Sequence, residues 1–290
     1  MSRSESMADL RPMNFGEVLD ASLSIFRRHF GLFLHLSVVV MGVPMAVFVY
    51  FTTRLEADFR IRPIATMLTL VPVLLVYYLA SLVLTAATVR VISDSYLGRE
   101  PRFRDAIGLG MGRIWPLFLV GLGKSVLLGL IVIGVGIVGA VLVPVARSAL
   151  VVGVLGGAAL IIGGMWFLIY VACGYGVTTP VVVLEELPSA FDAFARSWEL
   201  TRGSKLRVLG FALVAFLLFN SIPSGVLQAI AAAIQERSPV IGLFAMVLAH
   251  AIPMLLLPII SCVFTLMYYD LRVRREAFDL QILGQQLGIV

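Results

Sequence analysis

Charge is scarce in this sequence. Asp, Glu, Lys and Arg make up only 13% of its 290 residues, against roughly a quarter in ordinary globular domains. That leaves too little charge to cover the surface of a water-soluble fold of this length. Cysteine is nearly absent, and Cys173 and Cys262 both lie in apolar runs, which argues against a disulfide framework or a thiolate metal knuckle. Histidine is equally rare. His35 and His250 stand alone in apolar surroundings, without a partner at metal-ligand spacing, and polar packing between helices is expected of both. No catalytic, cofactor-binding or metal site is predicted.

What the chain has is apolar length. Hydrophobic residues make up 60% of it, and runs of at least about 20 apolar residues, enough to cross a hydrocarbon core of roughly 30 Å, recur along it. They are Phe30–Phe51, Ile64–Val89, Trp115–Val145, Leu150–Val183, Val208–Ile234 and Val240–Tyr269. The expected fold is an all-α integral membrane protein of about six transmembrane helices, with the lipid bilayer as its solvent. Residues 1–10 are polar and read as a flexible N-terminus, 11–283 as one polytopic domain and 284–290 as a tail. No cleaved signal peptide is read.

The net charge of +5 does not indicate nucleic acid, because the basic residues sit beside apolar segments, where they set topology. Of the 22 Lys and Arg, 16 fall in the N-terminal segment, Arg90–Arg113, Arg196–Arg207 and the C-terminal segment. Arg54, Arg60, Arg62, Arg147 and Arg237 fall on the other side, and Lys124 lies inside a span. Both termini should therefore be cytoplasmic.

The segments on the basic side carry helical periodicity. Phe15, Val18, Leu19, Ser22, Phe26 and Phe30 form one stripe, with Asn14 and Glu17 at capping-box spacing. Phe191, Phe194, Ala195 and Trp198 form another, with Ser189 and Asp192 at cap spacing. Such amphipathic helices lie in membrane interfaces. Phe15, Phe103, Phe191 and Phe278 each sit beside or near an acid and are 88, 88 and 87 residues apart. The chain thus reads as three parallel repeats, 11–97, 98–184 and 185–274, of interfacial helix plus two spans. Any six-span protein of this length gives spacings near 90, and the shared Phe-acid pair is short.

Few residues suggest chemistry. Gly123-Lys124-Ser125 mimics the end of a phosphate-binding loop, but Phe118 occupies the position where the motif needs its first glycine. Lys124 itself lies about nine residues, or roughly 13 Å, into its span. It is either a buried functional cation or a lysine that snorkels back to the cytoplasmic interface. Asp94, Glu185 and Asp270 each follow an even-numbered span, which marks an acidic ring or ordinary solvated helix ends. Asn220, Ser221 and Ser224 surround Pro223 in mid-span, a kink whose freed backbone groups side chains can satisfy. Gly153 and Gly157 have the small-xxx-small spacing of closely packed helices. Arg196 lies on the polar face of its amphipathic helix, where charge reversal should leave the bundle folded.

Three stretches carry a family likeness: Gly16-Glu-Val-Leu-Asp-Ala-Ser-Leu-Ser-Ile-Phe-Arg-Arg-His-Phe30, Ala195-Arg-Ser-Trp-Glu-Leu-Thr-Arg-Gly203 and Tyr268-Tyr-Asp-Leu-Arg-Val-Arg-Arg-Glu-Ala-Phe-Asp-Leu280. Together they resemble the membrane domain found beside glycerophosphoryl diester phosphodiesterases, without the catalytic domain. The resemblance implies a helical bundle of the bacterial cytoplasmic (inner) membrane and does not imply phosphodiesterase activity. Two functions stay open. An accessory or scaffold protein would dock membrane-protein partners, or a second copy of itself, through the amphipathic helices. A transporter or lipid-handling protein would use a cavity between the repeats. The sequence favours the first, since transporters usually show ionisable or unwound polar elements near the midplane and only Lys124 and the Asn220 region qualify.

Overall fold

In the computed structural model, residues 12–276 are described apart from 149, 236 and 237. The tails and Phe278, the fourth mark of the sequence spacing, lie outside the described residues. All regular structure among those residues is helical. Six helices are long and apolar enough to cross a membrane, as the apolar runs predict.

The first element, α1 (Phe15–Arg28), starts where the sequence places it. The Asn14 N–H donates to the Glu17 carboxylate at 2.7 Å and completes the capping box, with Arg27 and Arg28 in the last turn. Its stripe of Val18, Ser22 and Phe26 is buried, mainly against α11 (Pro239–Glu276). The interfacial helix is therefore a brace across the bundle, joined to the sixth span.

Three hairpins of long helices follow: α2 (Phe30–Ile61) with α3 (Pro63–Tyr96), α5 (Ile114–Ser148) with α6 (Leu150–Gly174), and the fifth span with α11. A short helix precedes each of the later two hairpins, α4 (Phe103–Gly112) and α8 (Asp192–Thr201), so the order of short helix, span, span recurs three times. The fourth predicted span is divided in the structure. Helix α6 stops at Gly174, and a turn leads into a separate α7 (Thr178–Leu184). The fifth span is α9 (Lys205–Phe216), a π-helical turn over Leu217–Ser221 and α10 (Ile222–Gln235). Pro223 lacks the N–H that a regular helix needs, and the hydroxyl of the next residue, Ser224, donates to the Asn220 carbonyl at 2.6 Å.

Burial is uneven along the membrane axis. Thr88, Val89, Val91, Ile92 and Ser93 of α3 and Cys262 to Tyr269 of α11 are almost all buried, and they lie toward the ends of their helices that meet α1, α4 and α8. We call this the basic end. Away from it α5 and α6 expose apolar side chains such as Ile133, Ile137, Val154 and Ile161, which suits lipid as the surrounding solvent. Gly156 and Gly157 face open space, and the close approach of this hairpin falls elsewhere. A Cβ on Gly164 would stand 2.7 Å from the Val135 side chain.

Candidate functional site

The C-terminal motif of α11 ties the basic end together, and Tyr268, Tyr269 and Asp270 each reach a different part of the bundle. Tyr269 exchanges a hydrogen bond with Ser93 of α3 at 2.7 Å. One residue earlier, the Tyr268 hydroxyl donates to Glu185 at 2.8 Å, just past α7. Asp270, with its side chain 0% exposed, accepts from Arg274 at 3.0 Å and Arg207 of α9 at 3.1 Å, and from the backbone N–H of Met13 at 2.8 Å. Both guanidiniums also donate to the Met13 carbonyl. A carboxylate taken out of water needs such partners, because alone its burial would cost several kcal/mol.

Arg196 belongs to the same lattice. It pairs with Glu185 at 3.0 Å, with Glu199 at 3.6 Å and with Glu276, while Arg272 bridges Glu276 and the Tyr268 hydroxyl at 3.1 Å each. Burial pulls the Arg196 pKa down, but Glu185 and Glu276 outweigh it and leave the guanidinium above its ordinary range. The expectation of an exposed, replaceable Arg196 is therefore corrected: its charge is spent inside the protein. Asp94, Glu185 and Asp270 lie at one end of the bundle, each against arginine rather than free in solvent, with Asp94 bonded to Arg90 at 2.9 Å.

Helix α8 seats on the end of α6 for a backbone reason. The last carbonyls of a helix lack intrahelical partners, and that of Gly174 accepts the hydroxyls of Ser197 at 2.9 Å and Thr201 at 3.1 Å. Only glycine permits this approach, since a Cβ at 174 would lie 2.3 Å from the Trp198 ring. Beside it, Lys205 at the start of α9 places its ammonium 3.3 Å from the ring centres of both Tyr170 and Trp198. Such cation–π contacts contribute about 0.5–2 kcal/mol each.

Beneath this lattice, where the three hairpins meet, lies a cavity of about 410 Å³, within the usual range for small-molecule sites, roughly 300–1,000 Å³. Its walls come from α3 (Thr85, Val89), α5 (Lys124), α6 (Ile169, Cys173), α9 (Val208, Phe216) and α11 (Leu257, Ser261, Thr265). Ile169 and Phe216 line it and are also exposed, which puts its mouth on the apolar flank between α6 and α9. The lining is mostly apolar. Lys124 extends toward the basic end, as snorkelling predicts, but its ammonium meets protein: it donates to the Tyr175 carbonyl at 3.3 Å.

Thr265 was not singled out by its sequence. Its residue is 0% exposed, and its hydroxyl has no hydrogen-bond partner among the described residues. Other threonines in these helices bond a preceding carbonyl, as Thr66 does at 2.8 Å and Thr85 at 2.7 Å. The available signal was Ser261 and Thr265, four apart in an apolar run and hence on one helical face. Asn220 sits in the π-helical turn after Phe216 and does not line the cavity. His35 packs on Phe103 at 4.5 Å, and His250 bonds the Met246 carbonyl at 2.9 Å, the packing roles expected of them. Both cysteines are free.

Compared with known proteins, the sequence matches no family model, and neither a curated protein nor a solved structure matches it. The site stands on its own geometry.

Proposed function

We propose that this chain is a lipid-handling protein that takes an amphiphilic molecule sideways from the bilayer into the cavity between its hairpins. The observation that carries the reading is a buried Thr265 hydroxyl with no partner among the described residues, together with the Lys124 ammonium, in a mostly apolar cavity opening on the apolar flank. Buried polar groups ordinarily find partners, and a bound headgroup supplies them. The proposal involves no enzymatic step.

The accessory or scaffold reading draws on the amphipathic helices. The face of α1 is largely spent on the bundle, with Val18 and Phe26 buried, which supports bracing over docking there; α8 buries Ala193 and Leu200 rather than its predicted stripe, whose Phe191 stays 55% exposed. Membership of the glycerophosphoryl diester phosphodiesterase membrane-domain family is part of the proposal and rests on the three motifs. So is a bacterial inner-membrane location with both termini cytoplasmic, which rests on the Lys/Arg bias.

Purification in mild detergent followed by mass spectrometry of bound lipids and proteins tests the function. A lipid retained in stoichiometric amount, and lost when Phe216→Trp fills the cavity, is the expected result. A co-purifying membrane protein with no retained lipid would put the scaffold reading in its place. For orientation, a cysteine at Glu199, whose side chain is 68% exposed, should react only from the cytoplasm. Ser197 is unsuitable because it is buried.

A further inference from the structure

We infer that the ligand of this cavity carries an anionic head, a lipid carboxylate or phosphate, held by the Lys124 ammonium and the Thr265 hydroxyl, with its chain running deeper along α11 toward Leu257. The inference rests on the lipid-handling reading and adds the sign and position of the headgroup. No Asp or Glu lines the cavity among the described residues, so the ammonium there has no counter-ion. A cation in apolar surroundings without one is costly. Its single bond to the Tyr175 carbonyl is long, at 3.3 Å, and an ammonium has three donors to place. Thr265 adds a hydroxyl donor that has no partner among the described residues. Two groups able to donate, one of them charged, select an anion over a cationic or apolar head.

Direction follows from the helix register. Thr265 lies nearer the basic end of α11 than Leu257 by eight residues, about 12 Å along a helix, and the Lys124 side chain points to that same end through Tyr175. The head thus sits near the membrane interface and the chain reaches toward the bilayer centre, past Phe216 and Leu257. This is the orientation a lipid already has in its own leaflet, so entry through the flank between α6 and α9 requires no inversion.

Cys173 lines the cavity and Cys262 is fully buried elsewhere in α11, which gives a reporter and an internal reference in the unaltered protein. The full chain in phosphatidylcholine nanodiscs would be treated with an apolar maleimide, and labelling at each cysteine followed by peptide mass spectrometry. Oleate should slow Cys173 labelling at least threefold, and oleyl alcohol, with the same chain and no charge, should do so far less. Lys124→Met should erase that difference and Lys124→Arg should keep it, while Thr265→Val weakens protection by oleate alone. Phosphatidylglycerol in the disc takes the place of oleate in a parallel arm: stronger protection by the phospholipid assigns a phosphate head, stronger protection by oleate a carboxylate. Equal protection by oleate, phosphatidylglycerol and the alcohol, unchanged in Lys124→Met, would overturn the anionic assignment and leave the lipid cavity standing. Protection by none of them would remove both. The same comparisons read as ligand-induced shifts in unfolding temperature decide the matter if Cys173 is unreactive, and Thr265→Val does so if Lys124→Met fails to fold.

Discussion

The carboxylate of Asp270 accepts the backbone N–H of Met13 at 2.8 Å, a contact between residues 257 positions apart. It joins the lead-in to the first helix to the last described helix. Arg207 and Arg274 complete the site, so the amide of Asn cannot replace the charge. Asp270→Asn should lower stability by about 3 kcal/mol, the scale for breaking a buried ion pair, and should expose residues near Met13 to protease. Thermal unfolding in detergent and limited proteolysis measure the two effects.

Arg196→Glu should be nearly as damaging. It removes three ion-pair partners at once and sets a new carboxylate beside Glu185 and Glu276. A loss of about 2–3 kcal/mol is expected for charged hydrogen bonds of this kind. Arg202→Glu, on an exposed neighbour, should stay within about 0.5 kcal/mol. Equal stability of the two variants would mean that the lattice around Arg196 is not formed in the membrane.

The contrast between these arginines shows where sequence reasoning stops. Spans, the α1 cap and the amphipathic stripe of α1 were legible because each is written in one contiguous stretch of chain, whereas α8 starts after Phe191 without the Ser189 cap its spacing suggested. The partners of Arg196 and Asp270 were not, because Glu185, Glu276, Arg207 and Met13 reach them only through the packing of different hairpins. Position along the chain identified Asp94, Glu185 and Asp270 as recurring acids, but solvated ends and paired charges give the same pattern. The cavity was hidden for a similar reason. Thr265 looks like any hydroxyl in a membrane helix until the absence of its usual carbonyl bond is seen.

Gly174→Ala should unseat α8. The new methyl would lie 2.3 Å from Trp198, and a rigid ring cannot yield by rotating an end group, so overpacking should cost about 1–3 kcal/mol. Gly157→Ala, in open space, should be neutral as long as that face meets lipid. Tryptophan fluorescence and unfolding temperature distinguish the two outcomes; destabilisation by Gly157→Ala would indicate that another helix covers it.

His29 gives the junction of α1 and α2 a pH dependence. Its ring shares a hydrogen bond of 3.0 Å with Ser95, and burial, followed by repulsion from Arg28, lowers its pKa from 6.5. The folded state therefore prefers the neutral ring. Stability is fully present above the unfolded pKa near 6.5 and falls as pH drops below it toward the lower folded value. Hydrogen exchange around residue 29 should quicken on acidification, and His29→Gln should abolish that dependence. Exchange that is flat across this range in the unaltered protein would contradict the assignment.

The motif that reaches Ser93 of α3, Glu185, Arg207 of α9 and the lead-in to α1 lies in the last described helix. At a synthesis rate of roughly 5–20 residues per second, the 257 positions separating Met13 from Asp270 take about 13–50 s to traverse. In the last part of that interval the first two hairpins, complete at Gly174, have been made and Tyr268, Tyr269 and Asp270 have not. Until α11 packs, the walls that Leu257, Ser261 and Thr265 give the cavity are missing, and that space is open on the α11 side. Under the lipid-handling proposal, closure by α11 would trap lipid already lying in that space.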